Sequence, residues 1–120
     1  MYGIGVDTTS ISRIKKSLEK NNFKTFVYGH NEISLFFNNK IKYNSLAANF
    51  AAKEAFSKAL GTGIRNFSLN EVEILRDELG KPYFKFSGKA LEIMNSLNLK
   101  AFVSLTHEEN IATAFVILSH

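Results

Sequence analysis

Residues 46–61 read LAANFAAKEAFSKALG, and this is the strongest secondary-structure signal in the chain. Alanine has the highest helix propensity, so its abundance here predicts a helix over Leu46–Leu60 that starts at Asn44 or Ser45. A glycine at position 61 predicts its end. Apolar side chains recur at helical spacing along one side: Ala48, Ala52, Ala55, Phe56, Ala59 and Leu60. The helix is therefore predicted to be a core element.

Shorter segments surround this helix. Residues 2–7 predict a buried strand, Ser10 predicts the cap of a helix that runs to about residue 21, and 23–39 predict one or two helices with Asn31 as a cap. Downstream, strands are predicted at Val72–Arg76, Tyr83–Phe86, Ala101–Leu105 and Ile111–Leu118, and a helix at 87–97 behind Ser87. The order β-α-α-α-β-β-α-β-β predicts an α+β fold. The expected fold is a compact single domain, residues 1–120, with a mostly antiparallel sheet packed on the long Ala-rich helix.

Composition limits the classes of function. The chain has 120 residues, 45% apolar, with 11 Phe and no Cys, which excludes disulfides, thiolate metal sites and a cysteine nucleophile. Without cysteine, a signal peptide or an apolar run near the ~20 residues of a membrane span, we expect a cytoplasmic protein with no membrane contact. The net charge of +4 favours an acidic partner, which could be nucleic acid, a phosphorylated small molecule or an acidic protein.

Three charged residues are candidates for chemistry. Glu54 and Lys58 are neighbours on the helix. In one interpretation they form an ion pair, and the face that they share with Asn49, Lys53 and Ser57 is solvated. In the other, Glu54 binds a metal and Lys58 binds a phosphate. Asp7 ends the first strand and either caps the next helix or supplies an oxygen ligand for Mg²⁺. Phe50 lies on the polar half of the helix, which indicates a subunit contact or the wall of a site.

His107 ends the strand that contains Ser104 and Thr106. Its ring either bonds backbone in the turn or joins those hydroxyls in a small polar cluster for phosphate. The pattern Gly3-Ile4-Gly5 lies inside a strand and is not a dinucleotide fingerprint. No histidines have zinc-ligand spacing.

Four segments in register resemble one family. They are Gly3-Ile-Gly-Val-Asp7, Phe50-Ala-Ala-Lys-Glu-Ala-Phe-Ser-Lys-Ala-Leu-Gly-Thr-Gly-Ile64, Gly80-Lys-Pro-Tyr83, and Val103-Ser-Leu-Thr-His107 with Ala112-Thr-Ala-Phe-Val116. Together they span nearly the whole chain and resemble the small synthase-type 4′-phosphopantetheinyl transferases. The resemblance implies transfer of phosphopantetheine from coenzyme A to a serine of an acyl carrier protein, in support of fatty acid biosynthesis.

The resemblance also implies roles for individual residues. Asp7 and Glu54 would bind Mg²⁺, and Lys58 would contact the phosphates of coenzyme A. Residues expected near the coenzyme are Ser104, Thr106 and His107, with Gly80, Lys81 and Pro82 lining the nucleotide pocket. Members of this family are usually homotrimers with sites between subunits, and the basic stripe expected to contact the carrier protein is Arg13, Lys16 and Lys20.

The chain departs from the family's pattern at two places. An arginine often precedes Phe-Ala-Ala-Lys-Glu, where this chain has Asn49, so a phosphate contact is either missing or supplied by Lys53 or Arg65. A glutamate often follows the strand aspartate, where this chain has Thr9 and Ser10. For the serine hydroxyl, the preferred base is a water held by Glu54 or the metal, and the alternative is an acid of the carrier.

Two other classes compete with this interpretation. A small basic nucleic-acid-binding domain without catalytic activity would explain the charge, but not Asp7, Glu54 and the four ordered segments. A catalytically silent oligomeric scaffold would use the same apolar helix.

Overall fold

The computed structural model describes all 120 residues, and its elements follow the predicted order except that residues 23–39 form two helices where that order counted one. The strands are β1 (Gly3–Ser10), β2 (Val72–Arg76), β3 (Pro82–Phe86), β4 (Lys100–Glu108) and β5 (Ile111–Ser119). The helices are α1 (Ile11–Ser17), α2 (Phe23–Val27), α3 (His30–Phe36), α4 (Tyr43–Leu60) and α5 (Gly88–Ser96). A single 3-10 turn at Leu69–Glu71, which the sequence did not predict, precedes β2.

The strands pair antiparallel in two sheets, which confirms the α+β class. One sheet has the order β1-β5-β4, with Val6 opposite Phe115 and Ser104 opposite the same Phe115. The other is the hairpin β2-β3, in which Arg76 pairs with Pro82. Both β1 and β4 extend further than predicted and end close to the turn at Asn110, whose backbone oxygen accepts from the amide of Ile11.

Two hydrophobic clusters meet on opposite sides of α4. The first lies between α4, the inner faces of both sheets and α5, and Phe56 at its centre is fully buried against Phe67, Phe84 and Phe86. The second lies between α4 and the three N-terminal helices, around Tyr28 and Leu46. As a result, twelve of the eighteen residues of α4 are buried.

Two glycines of β1 allow α4 to lie directly on the strand. A Cβ at Gly3 would clash with the backbone oxygen of Ala59, and one at Gly5 would clash with that of Ala55. Because side chains of a strand alternate between faces, Asp7 and Thr9 continue the face that carries these glycines. The close approach therefore brings the end of β1 alongside the middle of α4.

The ends of the helices differ from the predictions in three places. Ser10 caps α1 as predicted, but α1 ends at Ser17, and Asn22 takes a left-handed conformation with φ 72° that asparagine tolerates. Asn31 is not a cap, because Gly29 precedes α3 and Asn31 instead donates to the carboxylate of Glu73. The helix α4 starts at Tyr43 and ends, as predicted, at Gly61 with φ 83°.

Candidate active site

One cavity, of about 340 Å³, contains both candidate metal ligands. Its lining residues come from β1, α1, the start of α2 and α4: Asp7, Thr8, Thr9, Arg13, Ile14, Ser17, Phe23, Phe50 and Glu54. The sequence could not establish that the strand end meets the long helix, and the structure shows that it does. We call this space the carboxylate cavity.

The alternative role of Asp7 as a helix cap is excluded. Ser10 is the N-cap of α1, and its hydroxyl accepts from the amide of Arg13 at 3.3 Å. The carboxylate of Asp7 is instead 3.0 Å from Lys58 Nζ, which also donates to the backbone oxygen of Val6. Lys58 therefore pairs with the strand and not with Glu54, contrary to the ion pair expected within the helix.

Glu54 is half-buried, and its carboxylate accepts no hydrogen bond. Partial burial raises the pKa of its carboxyl above the ordinary value, the negative charge of Asp7 raises it further, and the cation of Lys58 lowers it. Two carboxylates that repel each other across a small cavity are arranged for a cation. Thr9 adds to this, because its Oγ1 is the one buried side-chain polar atom without a hydrogen-bond partner.

Phe50 lies at the wall of the carboxylate cavity. Its ring packs on Phe23, with centroids 6.3 Å apart, and both residues line the cavity together with the two carboxylates. The presence of Thr9 and Phe23 in the lining was not predicted. For Thr9 the signal was available in the alternation of β1, which places it on the same face as Asp7.

The solvated face predicted for α4 is wrong for Asn49, Lys53 and Ser57, which are at most 5% exposed. Lys53 Nζ lies 2.7 Å from Glu32 Oε1 and donates to the backbone oxygens of Leu69 and Val72. Burial lowers the pKa of Lys53, whereas Glu32 and Glu73 raise it. Lys53 is thus fully engaged inside the protein and is unable to contact a coenzyme phosphate.

The other predicted coenzyme residues lie elsewhere. Thr106, His107, Gly80 and Pro82 line a second cavity of about 210 Å³, which we call the histidine cavity. Its remaining lining residues are Asn44, Ser45, Ala48, Arg76 and Leu105. The two cavities share no lining residue, so one chain does not bring His107 to Asp7 and Glu54.

His107 is exposed, and its ring makes no hydrogen bond, so the predicted alternative of a backbone bond in the turn is not formed. Ser104 and Lys81 are exposed and do not line this cavity. The backbone amide of Lys81 donates to the carboxylate of Asp77, which shapes the β2–β3 turn. Arg76 was not predicted as a site residue, although it ends β2 directly opposite Pro82.

Comparisons with known proteins identify the family of the chain. Residues 3–116 match the model of the 4′-phosphopantetheinyl transferase superfamily. A holo-[acyl-carrier-protein] synthase of Clostridium botulinum is 45% identical over 97% of this chain and 95% of that protein.

Two solved structures have the same fold. The holo-[acyl-carrier-protein] synthase of Neisseria meningitidis superposes with a TM-score of 0.89 at 34% identity, over 100% of this chain and 99% of that one. The Helicobacter pylori synthase in complex with coenzyme A gives 0.82 at 33% identity, over 97% and 99%.

Proposed function

The chain belongs to the 4′-phosphopantetheinyl transferase superfamily, and we propose that it is a holo-acyl-carrier-protein synthase. It transfers 4′-phosphopantetheine from coenzyme A to a serine of apo acyl carrier protein and releases 3′,5′-ADP, in support of fatty acid biosynthesis. The observation that carries this proposal is the meeting of Asp7, Glu54 and Lys58 at one end of β1. None of the relatives named above supports the alternative of a nucleic-acid-binding domain.

The reaction exchanges one phosphorus–oxygen bond for another. The serine oxygen bonds to the phosphorus that carries the pantetheine arm, the bond from that phosphorus to the bridging oxygen breaks, and 3′,5′-ADP leaves with the bridging oxygen. The hydroxyl proton of the serine passes to a base. Charge grows on the leaving phosphate, so the site needs cations in fixed positions.

The residues of the carboxylate cavity fit Mg²⁺. This ion favours one or two carboxylates together with substrate phosphates, and Asp7 and Glu54 supply two carboxylates whose repulsion a divalent cation relieves. When bound, Mg²⁺ would neutralise charge on the phosphate oxygens and on the departing 5′-phosphate of 3′,5′-ADP. Asp7 and Glu54 are the residues that would hold it.

Lys58 and Glu54 have further tasks. An ammonium group has three donors, and Lys58 uses its contacts to Asp7 and to the Val6 carbonyl, so a donor remains for a coenzyme phosphate. The side chain of Lys58 is 57% exposed and therefore accessible to substrate. The preferred base for the serine hydroxyl is a water held by Glu54 or the metal.

The nucleotide end of coenzyme A is assigned to the histidine cavity. Gly80, Pro82, Thr106 and His107 line it, and we propose that Lys81 and Ser104, exposed nearby, contact the same ligand. Since this cavity and the carboxylate cavity lie apart on one chain, a complete site requires two copies. We propose a homotrimer with each active site between subunits.

The outer face of the β1-β5-β4 sheet is the surface we assign to that assembly. It exposes large apolar side chains: Ile4, Val6, Phe102, Ile111 and Phe115, each 41–56% exposed. Exposed apolar side chains clustered on one face are typical of a subunit contact. Of the two alternatives predicted for Phe50, a subunit contact or the wall of a site, its position in the lining of the carboxylate cavity favours the second.

The carrier protein is proposed to dock on the basic side of α1. Arg13, Lys16 and Lys20 are exposed, although Lys20 lies beyond the end of the helix. Arg13 also lines the carboxylate cavity. An acidic carrier bound there would therefore have its serine close to Asp7 and Glu54.

Two further proposals concern the domain organisation and the location of the protein in the cell. We propose that residues 1–120 form one transferase domain and that it acts in the cytoplasm. No helix of the chain is long and apolar enough to cross a membrane.

The test is incubation with coenzyme A, Mg²⁺ and apo carrier protein, followed by mass spectrometry of the carrier. We expect the carrier to gain the mass of phosphopantetheine, and Glu54→Gln to prevent that gain while the protein stays folded. A carrier of unchanged mass with the wild-type protein would refute the proposed function. Full activity of Glu54→Gln at limiting Mg²⁺ would refute the metal assignment alone.

A further inference from the structure

The lining of the histidine cavity carries basic side chains and no acidic one. Arg76 and His107 face it together with the polar side chains of Asn44, Ser45 and Thr106. Two acidic residues are adjacent in sequence to this lining. Asp77 turns its carboxylate to the amides of Leu79 and Lys81 within the hairpin turn, and Glu108 lines a neighbouring cavity that shares Thr106 and His107 but not Arg76. The cavity is therefore suited to an anionic ligand.

The guanidinium of Arg76 is fixed in place. Its Nη2 donates to Asn49 Oδ1 at 2.9 Å, and Nη1 donates to the backbone oxygens of Ile74 and Leu75. The group also lies over the ring of Phe36, 5.1 Å from the centroid. A guanidinium has more N–H donors than these contacts use, so donors remain for a ligand.

Asn49 is itself held rigidly. It is fully buried, and its Nδ2 donates to Glu32 Oε2 and to the backbone oxygen of Ile74, each at 2.8 Å. These two donations fix which way the carboxamide points, and its oxygen is left to accept from Arg76. The cation at the cavity is thus preorganised by a side chain of α4, which lowers the entropy cost of binding a planar or tetrahedral anion.

We propose that Arg76 binds a phosphate group of the nucleotide end of coenzyme A, together with Thr106 and His107. This rests on the proposed function, which supplies the phosphate-bearing ligand. The proposal assigns the phosphate contact to Arg76 at the end of β2, whereas the sequence had suggested Lys53 or Arg65. Lys53 is excluded by its burial, and Arg65 does not line the histidine cavity.

The experiment measures calorimetric affinity of the full chain for adenosine, 5′-AMP, 3′-AMP and 3′,5′-ADP. Arg76→Gln should weaken 3′,5′-ADP binding by roughly tenfold to a hundredfold, the range for a hydrogen bond to a charged group. The loss should fall only on ligands that carry the phosphate bound by Arg76, so the two monophosphates distinguish the 5′ from the 3′ position. Lys85→Gln makes the same charge change at an exposed site of the same hairpin and should alter none of the affinities.

Arg76→Lys keeps the charge without the fork of donors, and we expect an intermediate loss with the same phosphate selectivity. This variant decides the matter if Arg76→Gln does not fold. Equal affinity of the Arg76 variants and the wild type for every ligand would overturn the proposal, as would an equal loss for adenosine, which indicates general damage. If the wild type transfers phosphopantetheine while the Arg76 variants keep their affinity, only the proposal for Arg76 fails. If the wild type binds no 3′,5′-ADP, both this proposal and the proposed function fail.

Discussion

Replacing Lys53 by Met should destabilise the protein far more than replacing Lys58 by Met. Both lysines belong to α4 and both pair with a carboxylate, at 2.7 Å for Lys53 with Glu32 and 3.0 Å for Lys58 with Asp7. The Lys53–Glu32 pair has no exposed side-chain surface, whereas the side chains of Lys58 and Asp7 are 57% and 21% exposed. Burial, not distance, therefore separates the two cases.

The magnitude follows from what each substitution leaves behind. Without Lys53, Glu32 keeps hydrogen bonds from the amides of Gly29 and Ile74 and from Asn49 Nδ2, but it loses its cation. Breaking a buried pair from one side costs about 3–5 kcal/mol. An exposed pair such as that of Lys58 contributes about 0–1 kcal/mol.

The assay is urea unfolding followed by far-ultraviolet circular dichroism, at one protein concentration for all variants because assembly adds to stability. With an m-value of about 2 kcal/mol per molar urea, Lys53→Met should lower the midpoint by about 2 M and Lys58→Met by less than about 0.5 M. The double variant Lys53→Met/Glu32→Gln should recover part of the loss, since it removes the orphan charge. Equal midpoints for the two single variants would refute the reasoning.

Three further predictions concern the site and the assembly. Because folding raises the pKa of Glu54, ionisation of this carboxyl costs stability as pH rises through the folded pKa. Without metal, Glu54→Gln should therefore unfold at a higher temperature than wild type at pH 7, and this difference in melting temperature should vanish at acidic pH. A difference that persists at acidic pH would contradict this cause. Gly5→Ala should reduce both stability and transfer, since its Cβ would clash with the carbonyl of Ala55 and push Asp7 away from α4; a normal melting temperature would count against that close approach. Phe115→Lys should give monomers in light scattering that bind 3′,5′-ADP but transfer nothing, and an active monomer would disprove sites between subunits.

Periodicity predicted the elements of the fold well, because each depends on local pattern. The alanines and the glycine at 61 marked α4, and short runs joined by turn segments marked the strand pairs β2-β3 and β4-β5. The errors fall where a neighbour in space decides the outcome. Asn31 was expected to cap a helix, but Glu73, more than forty residues away, takes its backbone and side-chain donors.

The same distinction applies to the candidate site. Asp7 and Glu54 were identified by residue type and by resemblance, yet their meeting depends on Gly3 and Gly5, which let β1 lie against α4. The resemblance also implied that His107 lies near the coenzyme that Asp7 and Glu54 act on. Within one chain, however, His107 lines one cavity and the two carboxylates line another. Spacing within one strand could place Thr9 beside Asp7, but it could not show which cavity a residue of a distant segment such as His107 lines.

The polar half of α4 shows most clearly why pattern alone was insufficient. A polar stripe on a helix predicts a solvent-exposed face unless its partners are known. Here Asn49 and Lys53 both bind Glu32. Glu32 belongs to α3, and the sequence of α3 gives no sign of that contact. Burial of such groups is costly unless every donor and acceptor is matched, so the hydrogen bonds of this network fix α3, β2 and α4 relative to one another. Through Asn49 the network reaches Arg76 at the edge of the histidine cavity. A substitution at Glu32 should therefore disturb ligand binding there as well as stability, although Glu32 itself lines neither cavity.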